Sequence, residues 1–330
     1  MSLDMTPEQK AIGKDNFNRV VGKMAEEDRA QAGQGVTRRR FMQGLIAAGA
    51  TLPVSAAAYF GYQNHGFPRG MRPVKAGIIG CGDEGGVLVG FHNPDFVDFI
   101  GYSDIRPTNR RRIFAGQPGT PRKGFHAIRD HIRIHYGQSP DQHIQRYDDY
   151  KELLRNPDIE MVVIALPLHL HAPVAIEALN AGKHVLCEKL MAWNVSQCKE
   201  MIRAADRNDK LLAIGHQRHY SMLYAHANEI VTSGLLGDVK HIRALWHRNN
   251  ARPNTSTDER ERRERPYLDA WHPLIPRDDR AELEGRIRQL GYKNMEELVR
   301  WRLYTRTGGG LMAELGSHQL DACSIFLGKK

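Results

Sequence analysis

The stretch Val74 to Gly85, V-K-A-G-I-I-G-C-G-D-E-G, constrains this chain more than any other. Its apolar run of Val74, Ala76, Ile78 and Ile79 enters a G-x-G-x-x-G made by Gly80, Gly82 and Gly85, the pattern of a buried first strand leading into a phosphate-binding turn. The glycines have separate tasks. Gly80 permits the tight turn, Gly82 lets the backbone approach a pyrophosphate, and Gly85 allows the following helix to pack closely on the strand. That helix, opening at Asp83 and Glu84, aims free N–H groups and the positive end of its dipole at the phosphates. A glycine turn alone is weak evidence, but Asp104 closes a second apolar run (Phe96, Val97, Phe99, Ile100) about two dozen residues past Gly80, where an acidic side chain accepts from a ribose 2′-hydroxyl. A carboxylate there repels a 2′-phosphate and so favours NAD over NADP, although Arg106 and Arg110 nearby work against that preference.

From Val74 to Gly215 strand-like apolar runs alternate with helix-like segments, which argues for right-handed βαβ crossovers and a parallel sheet. Ile159 to Leu166, His184 to Cys187 and Leu211 to Ile214 have the composition of buried strands, with helices over Val174 to Ala181 and Val195 to Arg207. An additional helix is expected around Ile128 to His135. Ligands of such sheets sit beyond the carboxyl ends of the strands, which singles out Pro167 to His171 (P-L-H-L-H) and Cys187 to Met191 (C-E-K-L-M).

With 330 residues the chain has room for two domains. After Gly215 the pattern changes to a helix at Met222 to Ser233, an alternating strand at Val239 to His247, and a charged, proline-broken surface insertion from Arg252 to Tyr292 with a helix near Arg280 to Leu290. The net charge of +9 is spread over short arginine runs, among them Arg110 to Arg112 and Arg260 to Arg265. Such runs read as solvated basic faces, and no nucleic-acid partner is expected. Cys81, Cys187, Cys198 and Cys323 show neither a disulfide framework nor metal-site spacing, and no metal is expected. Near the start, T-R-R-R-F-M at Thr37 to Met42 precedes an apolar, small-residue run from Gly44 to Tyr62, the layout of an export signal over residues 1–62. It is similar to a twin-arginine signal, with Arg38 and Arg39 as the pair, so the expected partner is the twin-arginine export machinery and the expected location the periplasm. An uncleaved signal would leave a membrane anchor.

Four ordered signatures, G-C-G-D-E-G, P-L-H-L-H-A, G-K-H-V-L-C-E-K and G-G-G-x-x-x-E-x-G-S-H-x-x-D, together resemble the family of glucose-fructose oxidoreductase, inositol dehydrogenase and MocA (Gfo/Idh/MocA) from about Val74 to Asp321. The resemblance implies an α/β protein: a Rossmann dinucleotide-binding domain at 72–216, then an α+β domain with an open, mainly antiparallel sheet at 217–330 serving substrate binding and oligomerisation. It implies NAD as cofactor and hydride transfer to or from a hydroxyl of a sugar, cyclitol or sugar derivative. A redox-assisted glycosidase of the same family is the alternative. Carried over by position, Lys189, His318 and Glu314 are the catalytic group, and Pro167, His171, Glu188 and Lys189 join Gly80, Gly82, Asp83, Glu84, Gly85 and Asp104 at the cofactor. Glu314 stands where the family commonly has Asp, Leu190 where it has Pro, and Leu168 where it has Asn. Glu314 and His318 are spaced i, i+4, so a helix carrying both presents them on one face. Because the family's sheet continues beyond the point where this chain stops, the chain is expected to be a shortened or fragmentary form, or one completed by a partner subunit, and a homo-oligomer is expected.

Overall fold

The computed structural model describes residues 72–115, 132, 135–137, 139–247, 251–254, 256–269 and 271–328. The expected export signal lies outside the described residues, as does most of the expected helix at Ile128 to His135. Among the described residues, no helix is long and apolar enough to cross a membrane.

Six parallel strands form the frame: β1 (Val74–Ile79), β2 (Val97–Ser103), β3 (Gln145–Tyr147), β4 (Met161–Ile164), β5 (His184–Glu188) and β6 (Leu212–Gly215), in the order β3-β2-β1-β4-β5-β6. Helices run between them: α1 (Asp83–Phe91), α2 (Pro107–Ala115), α3 (Tyr150–Arg155), α4 (His171–Asn180) and α5 (Val195–Asn208). Successive strand residues point to opposite faces, so each strand feeds two cores. Ile79, Val162, Ile164, Val185 and Cys187 pack with Val174, Ala175, Ala178 and Met201 on one side, while Ile78, Phe99 and Val163 pack with Val89 and Ile113 on the other. Local chemistry sets the helix starts: the Asp149 side chain accepts from Lys151 N–H, and the Asn194 side chain from Gln197 N–H.

The chain divides into two compact units. One contains Phe67–His216 and Trp246–Ser317, that is, the whole parallel sheet together with α7 (Glu259–Glu264), α8 (Arg277–Leu283), α9 (Met295–Val299), α10 (Thr305–Gly308) and a π-helical turn at Met312–Gly316. Its segment 275–299 has a core of its own, in which Leu283, Ile287, Tyr292, Met295, Leu298 and Val299 close over Ile105 from the turn after β2. The other unit holds Gln217–Leu245, with α6 (Met222–Thr232), and residues 318–328, which include most of α11 (Ser317–Phe326). There His219 Nε2 lies 2.8 Å from Asp321 Oδ1, and Gln319 donates to the Leu245 carbonyl at 2.6 Å.

Three expectations need correction. Val239 to His247 is not a strand: alternation fixes which face a strand would bury but supplies no partner, and the stretch has no ladder. Among the described residues the antiparallel structure after Gly215 is a two-stranded ribbon, β7 (Ala251–Pro253) with β8 (Tyr267–Asp269), in place of the broad sheet expected. The insertion is likewise not uniformly a surface segment. Its α7 is largely exposed, with Arg260 paired to Glu264 along the helix, but 275–299 is a packed lobe.

Candidate functional site

Gly80 adopts φ +95°, and a Cβ there would lie 2.3 Å from the Ala165 carbonyl oxygen, so no other residue fits between β1 and β4. A Cβ at Gly85 would lie 2.0 Å from the Gly80 carbonyl oxygen, which is the close strand-to-helix approach the motif calls for. Gly82 differs from both. Its nearest neighbour to a built Cβ is Arg112 Nη2 at 3.9 Å, so the fold itself does not demand glycine there. Open backbone at the start of α1 is what a dinucleotide pyrophosphate requires, and the turn fits that group.

Asp104 stands just past β2, as expected, but its carboxylate is already engaged. Oδ2 accepts from Cys81 N–H at 2.7 Å and from Asn109 Nδ2 at 3.0 Å, and Oδ1 accepts from Arg106 N–H at 2.7 Å. The side chain therefore ties the glycine turn to the start of α2, leaving one of about four acceptor positions for a ribose hydroxyl. The arginine run beyond it is not a solvated face. Arg106 Nε donates to Asp279 at 2.8 Å, Arg110 donates to both Glu282 oxygens at 2.6 Å, Arg111 pairs with Asp278, and Arg112 with Asp83 at 2.9 Å. Three of those four carboxylates come from α8.

Beyond β4, Pro167 accepts from Leu170 N–H and opens a short turn over Leu168–Leu170. His171 is 1% exposed, and its ring nitrogens face the Leu190 carbonyl at 2.6 Å and the Leu166 carbonyl at 2.8 Å. Expected at the cofactor, it braces the loops after β4 and β5, with both polar edges on backbone carbonyls. His169, two residues earlier, meets Tyr292 edge-on at 5.7 Å.

At the end of β5, Glu188 is 7% exposed and lies against Gly215, where a Cβ would meet its Oε1 at 2.8 Å. Burial, followed by the nearby Glu84 carboxylate, pushes its carboxyl up to about 7. Burial raises Glu84 as well, against the pull of Lys189. Lys189 Nζ donates to the Glu314 carbonyl at 2.5 Å and lies 3.6 Å from Glu314 Oε1. The same Oε1 accepts from Arg302 Nε at 2.8 Å. The structure thus brings Glu84, Glu188, Lys189 and Glu314 into one electrostatic cluster and adds Arg302, which no motif or spacing had marked. A cationic side chain six residues before the glycine run of G-G-G-x-x-x-E gave no pattern to read. The π-helical turn carries Glu314, and His318 is 7% exposed in α11, within the other compact unit.

Residues 74–216 match the family model described as oxidoreductase family, NAD-binding Rossmann fold (GFO_IDH_MocA). Among curated relatives, the chain is 40% identical over 180 residues to a 1-carboxy-3-chloro-3,4-dihydroxycyclohexa-1,5-diene dehydrogenase of Comamonas testosteroni, covering 54% of this chain and 34% of that protein. It is 33% identical over 114 residues to an inositol 2-dehydrogenase of Salmonella paratyphi B, covering 34% of each. The chain therefore spans about a third of the length of these relatives. Among solved structures, myo-inositol 2-dehydrogenase from Lactobacillus plantarum aligns with a TM-score of 0.40 and 21% identity over 51% of this chain and 43% of that one. The glycine turn and the sheet order agree with that match: residues 74–216 form a Rossmann-type parallel α/β domain similar to the NAD-binding domain of the Gfo/Idh/MocA oxidoreductases.

Proposed function

We propose that this protein is an NAD-dependent oxidoreductase that transfers hydride between the nicotinamide cofactor and a hydroxyl of a sugar, cyclitol or sugar derivative. The observation that carries the reading is the coupling of the cofactor turn to Lys189: Glu84 on α1 feels Lys189, Arg302 and Glu314, so the charged cluster adjoins the open backbone at Gly82. Relatives named as dehydrogenases of ring-hydroxylated substrates support the substrate class. NAD, when bound, supplies the hydride acceptor. The protein's own groups handle the oxygen and its proton.

Lys189 is held by Glu314 through a carbonyl and a carboxylate, and its ammonium has three donors, so one remains for a substrate oxygen that gains negative charge. Arg302 holds the Glu314 carboxylate in place. His318 is proposed as the proton acceptor on the strength of its place in the G-G-G-x-x-x-E-x-G-S-H signature. Gly80, Gly82, Asp83, Glu84, Gly85 and Asp104 hold the dinucleotide, Pro167 and Glu188 line the strand ends beside it, and His171 positions both loops.

Supporting a wider scheme, the Arg38–Arg39 pair and the apolar run after it favour export through the twin-arginine route to the periplasm. Met222, Leu223 and Leu236, which are exposed in the second unit, favour self-association and a substrate-domain role for residues 217–330. A reporter fused behind residues 1–62 and a solution mass test these two points.

The activity is tested by mixing the protein with NAD and a panel of cyclitols, sugars and aryl glycosides while following cofactor reduction. Reduction with at least one polyol is expected. Release of an aryl group with no polyol oxidised would contradict the reading.

A further inference from the structure

Arg106 and Arg110 lie two and six residues past Asp104, on the turn where an acid accepts a ribose 2′-hydroxyl or an arginine accepts a 2′-phosphate. In this chain each guanidinium is already paired with a carboxylate. Arg106 is bound by Asp279, which is 0% exposed and also accepts from Thr108 N–H at 2.9 Å and Thr108 Oγ1 at 2.7 Å. Arg110 directs Nη2 at both oxygens of Glu282. The lobe that supplies these acids is fastened to the same turn, since Ile105 packs into its core and Asp278 pairs with Arg111.

We infer that the 275–299 lobe is a cofactor-selectivity element: Asp279 and Glu282 occupy Arg106 and Arg110 and so make the site reject a 2′-phosphorylated dinucleotide. The inference rests on the cofactor reading above and adds to it. A 2′-phosphate arriving at this turn meets the Asp104 carboxylate and arginines whose charge is already matched, so binding requires breaking at least one ion pair. A free 2′-hydroxyl asks for neither. The preference for NAD that Asp104 suggests is therefore enforced from about 170 residues downstream, against the local arginine content.

Titration calorimetry with NAD⁺ and, separately, NADP⁺ tests this on the full chain and on Glu282→Gln and Asp279→Asn. Glu282 is partly exposed, so its substitution leaves the fold intact; Asp279→Asn keeps the buried shape, and thermal unfolding monitors both. The wild type is expected to bind NAD⁺ at least about tenfold more tightly than NADP⁺. Glu282→Gln is expected to tighten NADP⁺ by about fivefold or more while NAD⁺ binding stays the same, because a released arginine gains a charge-assisted bond to phosphate. Unchanged NADP⁺ affinity in both folded variants, or an equal gain for both nucleotides, would overturn the inference while leaving the cofactor reading standing. Failure of the wild type to bind either nucleotide would instead overturn the cofactor reading itself.

Discussion

At the β2 end of the sheet's carboxyl edge each arginine has its own carboxylate: Arg106 with Asp279, Arg110 with Glu282, Arg111 with Asp278 and Arg112 with Asp83. Around the β5 end, three carboxyls, Glu84, Glu188 and Glu314, share Lys189 and Arg302. One-to-one pairing cancels charge and fixes geometry, which suits recognition of an uncharged ribose. Shared pairing leaves buried acid in excess and moves Glu188 to about 7, where its protonation changes near neutral pH. The same sheet edge thus separates a region of matched charge from a region of shared charge, the one proposed to hold the cofactor and the other proposed to react.

The most severe way to break this comparison is to remove the scaffold under both ends. Gly85→Ala places a Cβ 2.0 Å from the Gly80 carbonyl oxygen, backbone that has no rotamer in which to yield. Denaturant unfolding is expected to show a loss of about 4 kcal/mol or more, or no folded protein. Next in size, Lys189→Ala should lower turnover by about 10² or more, with NAD⁺ affinity within about twofold, since the lysine serves the substrate oxygen. Steady-state rates set against calorimetric Kd values check the split.

Glu188 sharpens the comparison through pH. Its folded carboxyl titrates at about 7, above the ordinary value of 4.5, so the folded state holds the proton more firmly than the unfolded state. That contribution is fully present below about 4.5 and is lost as pH rises through about 7, a decline of up to about 3 kcal/mol. Unfolding measured across this range should fall less steeply with pH in Glu188→Gln than in the wild type. The smallest effect is expected at Asp104→Asn. All three groups bonded to this carboxylate are donors, so an amide turns its own NH₂ toward one of them and costs about 1 kcal/mol in thermal or chemical unfolding.

The holding end was partly legible in the sequence. Gly80, Gly85 and Asp104 sit where local turn geometry places them, and β1, β4 and β5 follow from runs of buried apolar residues such as Met161–Ile164. The partners of Arg106 and Arg110 were not legible, because a salt bridge between residues about 170 apart leaves no period or spacing to read. Arg302 escaped because its bond to Glu314, twelve residues on, fits no helix or strand spacing. The bracing role of His171 was not legible, because only the carbonyls of Leu166 and Leu190 reveal it. Val239 to His247 misled because alternation describes a face and says nothing about which chain will pair with it.

The division of labour is tested most directly by calorimetric titration of NAD⁺ into Gly82→Ala and Lys189→Ala beside the wild type. A Cβ at Gly82 has no protein atom nearer than 3.9 Å, so that variant should unfold like the wild type yet bind NAD⁺ about tenfold or more weakly. Lys189→Ala should bind NAD⁺ nearly as the wild type does. Undiminished NAD⁺ binding by Gly82→Ala, or its loss in a folded Lys189→Ala, would contradict the account.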